Sequence, residues 1–306
     1  MISNELDIDV CVCTFRRSHI VETIRSIGRL AIRPNWVIRV IVADNDETPS
    51  ARDIVEATAR ECSLSLTYVH APARNISVAR NACLDAATAR YIAFIDDDEV
   101  ADPDWMAALM ATLESRDADV VLGPVQAVYR PDCPDWMRKG DFHSTRPVWV
   151  NGEIITGYTC NVLFRRLAPA LSGRRFRVEL GGSGGEDHEF FTSAWRAGGT
   201  IAYAATALIT EPVADNRSNL RWLLRRRFRF GETHGLLLME DQASGLGGRL
   251  TYIAAAGAKA GGCFLTACLN CVRSDRSRSW VLRGTLHVGV IRQLLRREQH
   301  VVVVPA

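Results

Sequence analysis

The first half of this sequence alternates short apolar segments with segments of helical periodicity. The apolar segments are rich in β-branched and aromatic residues, which is typical of buried strands. The predicted strands cover residues 7–14, 36–43, 64–70, 91–95 and 119–125. The predicted helices cover residues 18–30, 50–61, 77–88 and a segment that begins near Pro103. Strands that alternate with helices predict an α/β fold with a doubly wound, mostly parallel sheet.

The rest of the chain changes character twice. From about residue 126 the alternation stops and prolines and tryptophans become frequent, which is typical of a functional loop beside an α/β sheet. Later segments predict ordered structure at 154–165, a helix at 186–197, a strand at 200–209, and helices at 218–240 and 280–297 around an Ala/Gly-rich apolar segment at 251–272. We therefore predict one domain over residues 1–215 and a basic, largely helical extension over residues 216–306.

Charge is divided unevenly along the chain. Residues 215–306 contain 15 arginines and lysines against 6 acidic residues, a net charge of +9, and residues 1–214 contain 22 against 29, a net charge of −7. This distribution predicts an anionic partner that binds the basic tail of the chain. Without a zinc-finger spacing or an RNA-recognition signature, nucleic acid is not the expected partner. Nine cysteines and the lack of a secretory signal predict a reducing, cytoplasmic setting.

Three consecutive aspartates, Asp96, Asp97 and Asp98, follow the apolar strand at 91–95. Carboxylates this close raise one another's pKa unless a cation neutralises them. Ligands of open α/β sheets bind outside the carboxyl ends of the strands. Oxygen ligands at such an edge suit Mg²⁺ or Mn²⁺ carrying a diphosphate. The triplet therefore predicts a metal site, with a solvated acidic turn as the alternative.

Polar residues also follow the other three predicted parallel strands, in the segments 14–17, 44–46 and 75–81. Parallel strands end at one rim, so these segments can line one pocket. Phe15 offers an aromatic face to a base, Asp44 an acceptor to an imide N–H, and Arg80 a diphosphate contact. Each also has a structural interpretation, as core, turn or solvated residue. Together they favour a nucleotide site.

Glu186 and Asp187 follow a run of small residues at 181–185 and begin a predicted helix. Acidic residues at a helix N-terminus stabilise it by about 0.3–1 kcal/mol. Capping alone does not require five small neighbours, and glycines allow backbone to approach a ligand. We therefore expect Asp187 to act as a general base.

The ordered motifs of this chain resemble those of the family 2 glycosyltransferases. They are CTFRR, VADND, NISVARN, FIDDDE, TGYTCN, GGED and RRRFRFGETHG, densely over residues 8 to 240 and weakly to near 295. The most similar group is the bacterial β-1,4-glucosyltransferases of succinoglycan-type exopolysaccharide assembly. The resemblance implies the GT-A fold, inversion at the anomeric carbon, a UDP-sugar donor, and Mn²⁺ or Mg²⁺ as cofactor.

The resemblance also implies roles for individual residues. Asp187 would be the catalytic base, beside Glu186, and Asp98 and Asp96 would hold the metal. Donor contacts would come from Thr14, Phe15, Arg17, Asp44, Asn45, Asn75, Arg80, Asp96, Asp97, and arginines of the tail such as Arg226, Arg227 and Arg229. On the acceptor side we expect Trp149, Tyr158 and Asn161.

Two positions depart from the family pattern. Phe15 stands where relatives often carry tyrosine, which keeps stacking but loses a hydroxyl. Thr210 stands where relatives often carry histidine before Glu211-Pro212, so a third metal ligand is in doubt, and Glu211 is the substitute. The Gln-x-x-Arg-Trp motif of processive relatives is absent, which predicts transfer of one sugar per encounter.

The expected reaction extends an undecaprenyl-diphosphate-type lipid-linked oligosaccharide at the cytoplasmic face of the membrane. Residues 252–272 are long enough to span a bilayer, but Lys259 lies in their centre. Peripheral attachment through the basic helix at 280–297 is the prediction, with packing of that helix on the body as the alternative. Two other functions stay open: a phosphohydrolase of haloacid-dehalogenase type, since Asp96–Val100 fits D-x-D-x-[TV], and a non-catalytic nucleotide-binding scaffold.

Overall fold

The structure is a computed structural model that describes residues 5–241 and 245–296. Its strands are β1 (Leu6–Thr14), β2 (Trp36–Asp44), β3 (Ser65–His70), β4 (Tyr91–Ile95), β5 (Val100–Ala101), β6 (Val120–Leu122), β7 (Val125–Val128), β8 (Trp149–Val150), β9 (Glu153–Ile154), β10 (Asn161–Arg165), β11 (Ile201–Tyr203) and β12 (Ile209–Pro212). Its helices are α1 (Ile20–Gly28), α2 (Arg52–Glu61), α3 (Ile76–Ala86), α4 (Trp105–Ser115), α5 (Asp135–Gly140), α6 (Glu186–Arg196), α7 (Leu220–Asp241), α8 (Leu246–Leu269) and α9 (Ser274–Leu295).

The main sheet has seven strands in the order β11-β6-β10-β4-β1-β2-β3. Strands β1 to β4 pair in parallel, as do β11 and β6, whereas β10 runs antiparallel between β4 and β6. The observed sheet is therefore mostly parallel, with β10 reversed. The buried apolar centre of β10, at residues 162–164, is compatible with either direction, so its sequence did not indicate the reversal.

Helices cover both faces of this sheet. On one face, Ile24 of α1, Val55 of α2 and Leu109 of α4 join a single buried cluster with alternate residues of the strands. On the other face, Ala79 of α3 and Phe190 of α6 join a second cluster. Alternate residues of a strand point to opposite faces, so each central strand contributes to both clusters. The fold is doubly wound, as predicted.

Two of the predicted strands are wrong as single elements. The segment 119–125 divides into β6 in the main sheet and β7 in a three-stranded sheet of order β5-β12-β7. Gly123 and Pro124 separate the two; Gly123 packs directly on Asn161, and proline has no N–H for a sheet ladder. The segment 200–209 likewise divides into β11 and the start of β12. Strands β8 and β9 form a separate hairpin.

The described chain forms two compact units. The first comprises residues 5–128, 144–182 and 186–212, and the second comprises residues 129–143, 183–185, 213–241 and 245–296. The predicted boundary at residue 215 differs from this division, because two earlier segments belong to the second unit. Cys133, Met137 and Phe142 of the first of these segments pack with Leu223 of α7 and Leu282 of α9. Contacts between segments so distant in sequence leave no local signal.

Within the second unit, α9 packs against both α7 and α8. Leu282, Val290 and Leu294 of α9 are buried in these contacts. This packing within the second unit counts against attachment to a membrane through α9, and packing of the helix on the first domain, the alternative, stays a prediction. Residue 297, the last of the predicted helix, lies outside the described residues.

Among the described residues one helix is long and apolar enough to cross a membrane. It is the segment Gly247–Leu269 of α8. Its most apolar stretch of 18 residues has a mean hydropathy of 1.3, and 22% of that stretch is buried. Several large apolar side chains of this region are exposed, namely Leu250, Phe264, Leu265, Leu269 and Val272. Most of the exposed large apolar side chains described in the second unit thus lie on or just after α8, while Val288 and Leu295 are exposed on α9.

Candidate active site

The carboxyl ends of β1, β2 and β4 meet at one rim of the main sheet. Thr14 and Asp44 end β1 and β2 in register with each other. The hydroxyl of Thr14 donates a hydrogen bond of 2.7 Å to Asp97, which follows β4. The prediction that these strand ends converge is confirmed.

The aspartate triplet is only partly neutralised by the protein. Arg17 forms an ion pair with Asp98, and its guanidinium lies 3.5 Å from Asp97. Burial raises the pKa of Asp97 to about 7 and exceeds the opposing effects of Arg17 and the Thr14 hydroxyl. A carboxyl group held near neutrality in this way gains from an additional cation.

Asp96 connects the triplet to a second acidic group through Arg80. The guanidinium of Arg80 lies 3.9 Å from the carboxylate of Asp96 and also pairs with Glu186. Burial raises the pKa of Asp96 to about 6, the negative charges of Asp98 and Asp187 add to the shift, and Arg80 opposes it. Arg80 therefore brings the triplet at residues 96–98 close to the acid pair at 186–187.

Glu186 begins α6 and is almost fully buried. One of its carboxylate oxygens accepts from Arg80, and the other, Oε2, has no hydrogen-bond partner among the described residues. Burial raises the pKa of Glu186, and the charge of Asp187 raises it further while Arg80 lowers it. The two glycines before it adopt left-handed angles, with φ of 88° at Gly184 and 98° at Gly185, which places the start of α6 beside Arg80.

Asp187 is held ionised by its neighbour on the same helix. Burial opposes its ionisation, but the hydrogen bonds and charge of His188, together with Arg80, lower the pKa of Asp187 to about 2. The backbone N–H of His188 lies 2.7 Å from Asp187 Oδ1, and the ring Nδ1 lies 3.3 Å from the same oxygen. Burial opposes the charge of His188, but Asp187 raises the pKa of His188. His188 was not predicted as a site residue, although its position next to Asp187 in the sequence could have indicated it.

The loop after β2 is organised by the buried polar residue Asp44. Asp44 is fully buried, and its carboxylate accepts from the backbone N–H groups of Asp46 and Ala51 and from the Tyr68 hydroxyl. Through these bonds Asp44 stabilises the turn after β2, which was the structural alternative to a role in nucleotide binding. Its contact with a uracil ring stays a prediction.

Asn45 and Asn75 join the strand ends to the start of α3. The side-chain oxygen of Asn45 accepts from the backbone N–H of Asn75 at 3.3 Å. Asn75 caps α3 by accepting from the N–H groups of Ser77 and Val78, and it donates to the carbonyl of Val178. Both residues shape the pocket, and direct donor contacts from them stay predictions.

Phe15 directly follows β1 at this rim, and its aromatic ring is partly exposed. It is 38% exposed, and Arg16, at a left-handed φ of 54°, lies 5.3 Å from its ring centre. Arg16 is in turn held by Asp46. An exposed ring on a braced turn is suited to stack on a planar base.

The predicted acceptor-side residues do not form one group. Trp149 lies on β8 and is 57% exposed, whereas Tyr158 is buried and donates to the carbonyl of Gly123. Asn161 is wholly buried and bonds Trp105 and two backbone carbonyls. We correct the assignment of Asn161, because its side chain is saturated in the core and has no surface to offer an acceptor. Trp149 and Tyr158 stay predictions.

The predicted tail arginines lie on α7 in the second unit. The guanidinium of Arg226 lies over the rings of Trp222 and Phe230, and Arg229 is exposed. Their contacts with a donor stay predictions.

The carboxylates that border the pocket fit a divalent cation. Within the described residues no group of three His, Cys, Asp or Glu side chains is arranged as a metal site. Mg²⁺ and similar ions bound with a nucleotide need only one or two carboxylates, because phosphate oxygens and water complete the shell. The raised pKa of Asp96 and the proximity of Asp98 match that donor set.

A further carboxyl group, Glu99, lies directly behind the triplet and was not predicted as a site residue. It is buried and accepts from the backbone N–H of Asp96 at 2.8 Å. Burial raises the pKa of Glu99, and Asp96 and Glu211 add to the shift. Thr210 pairs with Val100 across the small sheet, so the Thr210–Glu211 segment runs beside the triplet.

Comparison with known proteins gives a consistent picture. The family described as Glycosyl transferase family 2 matches residues 9–168. The chain is 51% identical over 295 residues to the succinoglycan biosynthesis protein ExoM of Rhizobium meliloti (strain 1021), covering 96% of this chain and 95% of ExoM. It is 25% identical over 269 residues to the glucosyl-dolichyl phosphate glucuronosyltransferase of Haloferax volcanii, covering 78% and 80% of the two chains.

Solved structures with the same fold include a mannosyltransferase and S. aureus TarS. The mannosyltransferase PcManGT from Pyrobaculum calidifontis, in complex with GDP-Man and Mn²⁺, has a TM-score of 0.61 at 18% identity, covering 97% of this chain and 89% of its own. S. aureus TarS 1–349 in complex with UDP-GlcNAc has a TM-score of 0.56 at 17% identity, covering 92% and 90%. At these identities the likeness concerns the fold.

Proposed function

The chain belongs to glycosyl transferase family 2 and has the GT-A fold, and on this premise we propose that it is an inverting, metal-dependent hexosyltransferase. The donor is a UDP-sugar, UDP-glucose in our proposal, and the product is β-linked. The acceptor is an oligosaccharide attached to a lipid diphosphate of the undecaprenyl type. Family membership rules out the alternative of a phosphohydrolase of haloacid-dehalogenase type.

One observation carries the proposal: Arg80 contacts both acidic groups. Its guanidinium pairs with Glu186 and lies 3.9 Å from Asp96. Asp187, the carboxylate assigned to the acceptor hydroxyl, directly follows Glu186 and raises the pKa of Asp96, so it lies near the carboxylates assigned to the donor diphosphate. A transferase requires this proximity, because the two reactants must meet in a near-attack arrangement.

The donor would be held by residues from three strand ends. Phe15 would stack on the base, Asp96 and Asp98 would hold Mn²⁺ or Mg²⁺, and Arg17 and Arg80 would contact the phosphates. When bound, the cation would supply positive charge to the diphosphate and so stabilise UDP as it departs. PcManGT, which was solved with GDP-Man and Mn²⁺, supports this choice of cofactor by analogy of fold.

Asp187 would accept the proton of the acceptor hydroxyl. That oxygen forms a bond to the anomeric carbon on the face opposite UDP, the bond from this carbon to the UDP oxygen breaks, and the configuration inverts. The pKa of about 2 keeps Asp187 ionised at neutral pH, so it is ready to accept. The proton of the acceptor hydroxyl becomes strongly acidic only as its oxygen bonds to the anomeric carbon. A weak base such as Asp187 therefore accepts it late in the reaction.

Support for the acceptor and pathway comes from the curated relative. ExoM, 51% identical along nearly the whole chain, is a succinoglycan biosynthesis protein. We propose that this chain likewise extends a lipid-linked intermediate of exopolysaccharide assembly, one sugar at a time. The motif resemblance to succinoglycan-type β-1,4-glucosyltransferases is the basis for glucose as the transferred sugar.

We place the enzyme at the cytoplasmic face of the membrane as a peripheral protein. Exposed apolar residues of α8, among them Leu265 and Leu269, support attachment through this helix. Lys259 in its centre favours a position in the interface over a full span, since a central lysine costs about 2.5–3.5 kcal/mol on insertion.

A donor panel tests the proposal. Purified protein is mixed with each of several UDP-sugars and Mn²⁺, and thermal stabilisation and donor turnover are measured. We expect the largest response with UDP-glucose, and expect Asp98→Ala to remove the Mn²⁺-dependent part of UDP binding. Asp102→Ala, beyond the strand end, is the matched control. Unchanged calorimetric binding by Asp98→Ala would remove Asp98 from the metal site, and UDP binding without transfer to any acceptor would favour the scaffold alternative.

A further inference from the structure

The second unit contains a cavity of about 400 Å³, and Arg227 is the one lining residue that was also predicted to contact the donor. Its lining combines guanidinium groups with apolar side chains. The residues that matter are Arg227, Arg276, Arg283, Phe142, Leu282 and Leu286. All of them lie within this unit, on α7, on α9 and just after α5. A volume of this size is within the range of ligand sites, roughly 300–1,000 Å³.

No carboxylate within residues 5–241 and 245–296 balances the positive charge of this cavity. Among the residues that the structure describes, Arg227, Arg276 and Arg283 have no carboxylate partner, and no acidic side chain lines the cavity. Burial lowers the pKa of Arg227, and the positive charges of Arg226 and Arg283 lower it further. Guanidinium groups gathered without counter-charge are stabilised by an anion, and phosphate groups match their fork geometry.

The remaining lining is apolar rather than base-reading. Phe142 and Leu282 belong to a buried hydrophobic cluster, and Trp280, with Arg283 at 4.9 Å from its ring centre, adds an indole face. The hydroxyl of Ser279 and the indole N–H of Trp280 are the neutral polar groups of the lining side chains. With no amide or carboxylate group at hand, the cavity offers little for the edge of a nucleobase. It suits phosphate groups joined to a hydrocarbon.

We propose that this cavity binds the diphosphate and the first carbons of the hydrocarbon chain of the lipid-linked acceptor. The assignment rests on the proposed function for the identity of that acceptor. The arginines contact the phosphates, and Phe142 and Leu286 contact the chain. Apart from Arg227, this site shares no residue with the proposed donor site, where Asp96 and Asp98 would hold the cation that binds the UDP-sugar diphosphate.

Binding of farnesyl diphosphate to the full chain tests the proposal. Calorimetry is done in EDTA, so that a metal-dependent donor site does not contribute, with inorganic diphosphate and UDP as separate arms. We expect farnesyl diphosphate to bind at least about tenfold more tightly than either. The double variant Arg276→Gln/Arg283→Gln should weaken its binding by about tenfold or more, because hydrogen bonds to a charged group are lost. Both arginines are exposed, so the variant is expected to fold.

Matched controls separate this site from general charge attraction. Arg221→Gln/Arg225→Gln removes the same charge from exposed positions of α7 outside the cavity and should leave binding unchanged. An equal loss in this control would overturn the site. Equal affinity for inorganic diphosphate would overturn the lipid assignment, and so would the absence of farnesyl diphosphate binding.

Transfer kinetics distinguish this proposal from the proposed function. In the cavity variant, KM for a lipid-diphosphate acceptor should rise about tenfold or more, while KM for the UDP-sugar stays unchanged. An unchanged acceptor KM sinks the cavity as the acceptor site. Should the unsubstituted chain bind farnesyl diphosphate as expected but transfer no sugar, the cavity stands and the transferase assignment falls.

Discussion

Arg80 is the residue through which the two halves of the candidate active site are joined. Burial by itself would lower its pKa, but the charges of Glu186, Asp96 and Asp187 exceed that effect and raise it. Removing one member of a buried charge group leaves its partners uncompensated. Substitutions at Arg80 therefore change folding and catalysis together, and the roles of the carboxylates are better tested one at a time.

The base role of Asp187 is tested by Asp187→Asn. The amide cannot accept the proton, so kcat should fall by about 10²–10⁴-fold while UDP-glucose still binds. Glu189→Gln is the matched control, because Glu189 is also in the first turn of α6 and its loss removes the same charge from the helix N-terminus. Equal loss of activity in both variants would show that the turn needs charge, and retained turnover in Asp187→Asn would remove Asp187 from the mechanism.

His143 predicts a pH dependence of stability in the second unit. It is 3% exposed, stacks on Trp222 and bonds the carbonyl of Arg217. Burial, with the charges of Arg226 and Arg217, lowers the pKa of His143 to about 4, against 6.5 for the free side chain. The unfolded chain therefore takes up the proton first as the pH falls.

Stability linked to His143 is complete above pH about 6.5 and is lost as the pH falls towards about 4, by about 2–3 kcal/mol in total. Urea unfolding between pH 7 and pH 4, followed by circular dichroism, measures this loss. His143→Phe keeps an aromatic ring against Trp222 but cannot take up a proton. The same pH slope in this variant would contradict the assignment.

Helix packing in the second unit depends on two glycines. A Cβ at Gly289 of α9 would collide with the carbonyl oxygen of Phe228 and lie close to Gly231 of α7. The two helix backbones are therefore in direct contact at this crossing. Small residues permit such an approach, and a methyl group would force the helices apart.

The substitution Gly289→Ala should lower the free energy of unfolding by about 1–3 kcal/mol, because no space exists for the methyl group. Gly257→Ala on α8 is the matched control. A Cβ there meets nothing within 4 Å, and alanine should stabilise the helix by about 1 kcal/mol. Urea midpoints of the two variants should move in opposite directions; a shift in the same direction would contradict the tight crossing.

The pattern of strand and helix could be predicted wherever local sequence carries the information. Strands β1 to β4 and the convergence of Thr14 with Asp97 follow from apolar runs that end in polar residues. The reversal of β10 and the burial of α9 could not be predicted, since both depend on partners distant in the chain. Asn161 illustrates the same difficulty within the site: a polar residue in a family motif proved to be a core residue saturated by Trp105 and backbone carbonyls.

At the scale of the whole molecule, α8 is the element that should attach the protein to a membrane. Leu265→Glu/Leu269→Glu should weaken binding to phosphatidylcholine vesicles that contain phosphatidylglycerol by about tenfold or more, because apolar burial is lost. Co-sedimentation measures this binding. Leu167→Glu, at a residue as exposed as Leu265 (64% each) but in the first unit, is the control. Equal binding by all variants would exclude α8 as the attachment.

The second unit draws its core from stretches that are synthesised far apart in time. Met137 and Phe142 leave the ribosome early, yet the side chains that cover them, Leu223 and Leu282, belong to α7 and α9. Until those helices are made, the nascent chain carries an uncovered apolar segment that can attract chaperones or other chains. A chain truncated before α9 would lack Leu282 and leave this apolar segment incompletely covered. Such shortened forms of the protein should therefore aggregate.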